Sequence, residues 1–89
     1  MISKELTIIN RLGLHARAAA VLVTTAARFS SRVLIRREGR EADAKSIMAV
    51  MLLAAGRGTY ITVSAEGEDA DEAVQAIEAL IANRFGEDE

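Results

Sequence analysis

Ile2, Leu6 and Ile8 alternate with Ser3, Glu5 and Thr7, which predicts a first strand whose apolar face is interrupted by Lys4. The period then changes. Ala19, Leu22, Val23 and Ala26 recur at helical spacing within Ala16 to Ala27, with Phe29 and the pair Ser30-Ser31 as the exit. Arg32 to Arg37 and Arg40 to Asp43 read as a hairpin turning at Glu38-Gly39. Ser46 to Leu53 predicts a short helix, ended at Gly56-Arg57-Gly58 by a left-handed glycine cap. Ile61, Val63 and Ala65 alternate with Tyr60, Thr62, Ser64 and Glu66, giving a last strand. Asp69-Ala70-Asp71-Glu72 reads as a capping box with Asp in place of Ser or Thr, opening a helix with Ala73, Val74, Ile77, Leu80 and Ile81 on one face. Gly86-Glu87-Asp88-Glu89 reads as a frayed tail that serves solubility. The predicted order is strand, helix, strand, strand, helix, strand, helix.

Composition narrows what such a chain does. Eighty-nine residues make one domain, spanning 1–89, with a single modest core. With no cysteine, thiol catalysis, disulfides and thiolate metal sites are excluded. One histidine and no local carboxylate cluster argue against a zinc site, and neither metal nor cofactor is expected. No apolar run is long enough to enter a bilayer and no signal-like h-region opens the chain, so the cytoplasm is the default location. Charge is uneven. Residues 1–45 carry nine Lys/Arg against four Asp/Glu, and residues 46–89 carry two against nine, within a net charge of −2. Solvated faces account for this pattern, and so does a basic surface that steers an acidic protein partner. Nucleic acid is disfavoured, because the chain is net acidic and Arg32 to Arg40 contains no aromatic residue for stacking.

The chemistry concentrates at His15, in Asn10-Arg11-Leu12-Gly13-Leu14-His15-Ala16-Arg17-Ala18-Ala19-Ala20. The residue falls behind a glycine-bearing loop and at the start of the first predicted helix. Helix N-termini present unpaired N–H groups and a partial positive charge, which suit a phosphate. An imidazole there is a candidate phosphoryl acceptor, and Arg17 is a candidate second donor to the same oxygens. Its alternative is a solvated first-turn side chain, where the helix dipole disfavours a cation. Gly56-x-Gly58 lacks the Lys-Ser/Thr pair of a P-loop and is read as a turn. Ile47, Met48, Val50, Met51, Leu52 and Leu53 nearly encircle a short helix, so part of Ile47, Met48 and Met51 should be exposed as an adaptable docking surface, with Arg11, Arg17 and Arg28 around it.

Gly13-Leu14-His15-Ala16-Arg17, followed about thirty residues later by Ala44-Lys45-Ser46-Ile47-Met48-Ala49-Val50-Met51, resembles the HPr family, the histidine phosphocarriers of the bacterial phosphotransferase system. The likeness covers the whole chain. It implies an α+β fold, an open-faced β-sandwich in which three helices cover one side of a four-stranded antiparallel sheet. It implies that His15 accepts phosphate from phospho-enzyme I and passes it to enzyme IIA domains, with Arg17 as its motif companion. It also implies that Ser46 matches the serine modified by HPr kinase/phosphorylase; by chemistry alone Ser46 is equally a good helix N-cap. Ala18 stands where the sugar-system motif has proline, similar to the nitrogen-related branch (NPr) and to some proteobacterial HPr proteins, so a regulatory phosphocarrier is the alternative to sugar uptake. Ala49 replaces a glycine common three residues after the serine. A monomer is expected. The rival classes are a stand-alone enzyme using His15 as general base, which lacks a second catalytic group at motif spacing, and a binding domain that signals by its phosphorylation state.

Overall fold

The computed structural model describes residues 1–89. Its elements run β1 (Ile2–Thr7), α1 (Ala16–Ala26), β2 (Arg32–Arg37), β3 (Arg40–Asp43), α2 (Ile47–Leu52), β4 (Tyr60–Glu66) and α3 (Ala70–Ala82), closed by a short turn at Arg84–Gly86. The four strands form one antiparallel sheet in the order β1-β4-β2-β3. Register explains which face is buried. Ile35 pairs with Val63, and Val33 with Ala65; all four are buried, while their neighbours Leu34, Arg36, Thr62 and Ser64 are partly or fully exposed. The inner face packs against Ala18, Ala19, Leu22 and Ala26 of α1, Val50 of α2, and Ala73, Val74, Ile77 and Ile81 of α3, forming one core. The open-faced α+β sandwich implied by the resemblance is therefore the observed fold.

Local chemistry accounts for the elements. Glu38 and Gly39 both have positive φ, the geometry of the two-residue turn whose twist matches a hairpin. Ser46 caps α2 by accepting a hydrogen bond from Ala49 N at 3.3 Å. Asp71 and Glu72 place negative charge in the first turn of α3, where the dipole favours it. Lys4 pairs in register with Val63 and so shares the inner face; its ammonium reaches Glu78 of α3 at 2.7 Å. The break in the apolar pattern is thus an inward-pointing charge on an edge strand, which discourages pairing with another chain.

Three local expectations are corrected. The left-handed residue after α2 is Ala54, with φ 52°, and not a glycine of Gly56-Arg57-Gly58. The carbonyls at that end are satisfied from outside the helix: Arg37 donates to Leu53 O at 3.0 Å and Arg40 to Leu52 O at 3.4 Å. No capping box forms at Asp69. Its carboxylate accepts from the backbone N–H groups of Ser30 and Ser31, each at 2.9 Å, and from the Ser31 hydroxyl, so it is committed across the fold instead of to its own helix. These bonds hold its carboxyl down at about 2, the Ser31 hydroxyl contributing most. Finally, the tail is not frayed. Arg84, Phe85 and Gly86 all take positive φ, Phe85 is buried, and the chain turns back so that residues 87–89 lie against the loop before α1.

Candidate functional site

The loop from Ile8 to His15 is pinned on both sides. Ile8 N donates to Thr59 O at 2.9 Å and Leu14 N to Ala55 O at 2.9 Å. Gly13 makes the second anchor sterically feasible: its φ is +65°, and a Cβ built there would lie 2.5 Å from Ala55 O. Asn10 is fully buried and donates from Nδ2 to Gly13 O at 2.9 Å, closing the loop from inside.

This loop delivers His15 to the N-cap of α1 in extended conformation, without a capping bond from its side chain. The first helical N–H to find a backbone acceptor is that of Ala19, bonded to His15 O at 2.8 Å. The N–H groups of Ala16, Arg17 and Ala18 are left free beside the imidazole. Arg17 is exposed and makes no ion pair, while the His15 side chain keeps about a quarter of its surface exposed, at 27%. Arg11, Leu12, His15, Arg17, Glu87, Asp88 and Glu89 together line one shallow depression.

The acidic half of that depression was not legible in the sequence. Glu87 Oε2 lies 2.5 Å from His15 Nε2, and Glu87 Oε1 accepts from Asn10 Nδ2 at 3.0 Å. Arg11 is engaged by Glu89, through its guanidinium at 3.2 Å and its backbone N–H. The Asn10 bond, then the His15 bond, and then the charges of His15 and Arg17 hold the Glu87 carboxyl below the usual range against partial burial. The surface at His15 is therefore of mixed charge, because tail carboxylates return to it; of the two readings of the uneven charge, solvated faces and a steering basic surface, the second is not realised around the imidazole. Seventy-two residues separate His15 from Glu87. The only sequence signal was Phe85, an apolar anchor next to a glycine.

The other named residues occupy one neighbouring surface. Lys45 Nζ donates to Phe29 O at 2.8 Å, tying the start of α2 to the exit of α1, and the Leu14–Ala55 bond ties the end of α2 to the start of α1. α2 thus runs back alongside α1. It exposes Ile47 at 42%, Met48 at 71% and Met51 at 38%, and also Leu52 at 69%, while Val50 and Leu53 are buried. Leu12 adds a further exposed apolar side chain at the His15 end. Arg28 is exposed one α1 length from His15, about 16 Å at 1.5 Å per residue, so it belongs to the α2 start and not to the His15 group. Ser46 lies at that same end. No cluster of three or more His, Cys, Asp or Glu side chains is arranged to hold a metal ion. No helix is long and apolar enough to cross a membrane.

Comparison with known proteins shows the family. A family model described as the PTS HPr component phosphorylation site matches residues 2–83. The phosphocarrier protein HPr of Cupriavidus necator is 56% identical over 89 residues, covering both chains fully. That of Xylella fastidiosa is 54% identical over 88 residues, covering 99% of each. The crystal structure of an HPr from Thermoanaerobacter tengcongensis superposes with a TM-score of 0.96 at 42% identity, covering both chains fully. These relatives carry the HPr name, which disfavours the nitrogen-related alternative. With its fold, its motifs and its full-length relatives in agreement, the chain belongs to the HPr family of phosphocarriers of the phosphotransferase system.

Proposed function

We propose that this phosphocarrier acts in the cytoplasm, takes a phosphoryl group from phospho-enzyme I onto His15 and passes it to enzyme IIA domains, in sugar uptake and its regulation. The observation that carries this reading is a partly exposed imidazole at a helix N-cap, beside three free N–H groups and an unpaired Arg17. A ring nitrogen attacks the phosphorus of the donor's phosphohistidine in line. Such a transfer depends on positioning and charge stabilisation more than on acid–base help. The N–H groups of α1 and the Arg17 guanidinium are suited to the phosphoryl oxygens, each contributing about 0.3–1 kcal/mol at an exposed site. Weak holding suits a carrier, which must release the group to the next protein.

Ile47, Met48, Met51 and Leu52 form the apolar centre of the partner interface in this reading, and Arg11, Arg17 and Arg28 its basic margin. Ser46 is its regulatory residue, open to HPr kinase/phosphorylase. A dianion there sits about one helix length from His15, so it acts on partner docking and not on the phosphoryl group directly.

The test is incubation with enzyme I and labelled phosphoenolpyruvate. An acid-labile, base-stable label is expected on the native protein and none on His15→Ala, which should fold normally. Label on His15→Ala overturns the assignment. Arg17→Ala should slow transfer without abolishing it, because the backbone donors remain.

A further inference from the structure

We propose that Glu87 is a positioning residue for phosphoryl transfer: its carboxylate, oriented by Asn10, keeps the His15 proton on Nε2 and leaves Nδ1 as the attacking nitrogen. The proposal rests on His15 being the acceptor, as proposed above. An ionised carboxylate has only acceptor atoms, so the ring nitrogen 2.5 Å from Glu87 Oε2 must carry the hydrogen. In the neutral ring the remaining lone pair then lies on Nδ1, which makes no hydrogen bond within the protein. The two nitrogens face different edges of the ring. Glu87 therefore occupies the edge that does not react, and leaves the acceptor position open.

The orientation of Asn10 is what gives the arrangement direction. Its Nδ2 faces two acceptors, Gly13 O and Glu87 Oε1, and its fully buried Oδ1 has no partner. Turning the amide over would set Oδ1 against both acceptors, so its orientation is locked and an oxygen is required of residue 87. The chain also accepts left-handed backbone at Arg84 and Phe85, anchored by burial of Phe85, to bring Glu87 to this place. A frayed solubilising tail needs neither.

In the step itself, the Nδ1 lone pair forms the new N–P bond while the donor's P–N bond breaks and its electron pair returns to the donor's ring. The Nε2 proton stays in place. The phosphorylated ring is then an imidazolium, and the carboxylate beside it balances the positive charge. Transfer to the acceptor breaks the Nδ1–P bond and restores the neutral Nε2–H ring.

Two substitutions separate this role from a bystander and from a competing anion. Glu87→Ala removes the acceptor, so both ring tautomers should be populated. Glu87→Gln keeps the shape, but the locked Asn10 takes its oxygen and turns its NH2 to His15, which favours the Nδ1–H tautomer. Nitrogen-15 NMR of His15 in full-length protein, above the pH at which the ring is protonated, should show Nε2–H in the native protein, a mixture in Glu87→Ala and a shift to Nδ1–H in Glu87→Gln. Phosphorylation by enzyme I should fall a few-fold in Glu87→Ala, where part of the rings keep the competent tautomer, and about tenfold or more in Glu87→Gln, the scale on which orienting partners act, with unchanged circular dichroism spectra. Any other order of rates overturns the proposal, and a Glu87→Ala variant faster than native shows that the tail competes with phosphate. A native ring in the Nδ1–H form overturns it without any transfer measurement. Label on His15→Ala instead removes the acceptor assignment beneath it.

Discussion

Gly13→Ala tests whether the loop that presents His15 is built as described. The added Cβ would lie 2.5 Å from Ala55 O and 2.7 Å from Gly56 Cα, where ordinary contact is 3.4–4 Å. About an ångström must be opened, and the Leu14 N to Ala55 O bond stretches with it. Alanine also takes on the left-handed backbone, which costs roughly 1–2 kcal/mol, and crowding a packed site adds about 1–3 kcal/mol. A destabilisation of about 3 kcal/mol is expected, which lowers Tm by roughly 12–24 °C in a domain of this size. Gly39→Ala provides the control. It has φ +79° but nothing within 4 Å of its Cβ, so it bears only the conformational cost. Thermal and urea melts of both variants, followed by circular dichroism, give the comparison. Phosphorylation of Gly13→Ala measured well below its Tm should also be slower, because Leu14 and His15 move with the loop. Equal losses of stability in the two variants would show that the close approach to Ala55 does not exist, and the loop geometry would be wrong.

Three further outcomes are expected. The folded Asp69 carboxyl titrates at about 2 against an ordinary 3.8, so its stabilisation is complete above that ordinary value and is lost as pH falls toward 2. Asp69→Asn should therefore flatten the acid limb of a Tm-against-pH curve, and a limb identical to native would remove the clamp from Ser30 and Ser31. Met48→Asp, at a 71% exposed position, should weaken enzyme I and enzyme IIA binding about tenfold or more by calorimetry with Tm nearly unchanged; a large Tm loss would place Met48 in the core. Ser46→Ala should cost about 1 kcal/mol through the lost bond to Ala49 N, whereas Ser46→Asp should keep Tm and slow His15 phosphorylation. Native rates in Ser46→Asp would leave Ser46 as a helix cap only.

What the sequence determined by itself was the periodicity and the hairpin turn, which neighbours along the chain govern. The helical period of Ala19, Leu22 and Ala26, the alternation at Ile61, Val63 and Ala65, and the Glu38-Gly39 turn each depend on residues a few positions apart. His15 at the start of α1 was legible for the same reason, and the two separated motifs carried the family. Tertiary structure decided where polar side chains with several options found partners. Asp69 turned from its own helix to Ser31, Lys4 turned inward to Glu78, and the end of α2 drew its caps from Arg37 and Arg40 of the β2–β3 hairpin. The His15 surface differs most. Its acidic component comes from Glu87, 72 residues away, brought there by one buried aromatic ring and a left-handed turn. A charged side chain near a chain end has no local periodicity to reveal its partner, and only closure of the fold supplies the imidazole and the buried amide that hold it.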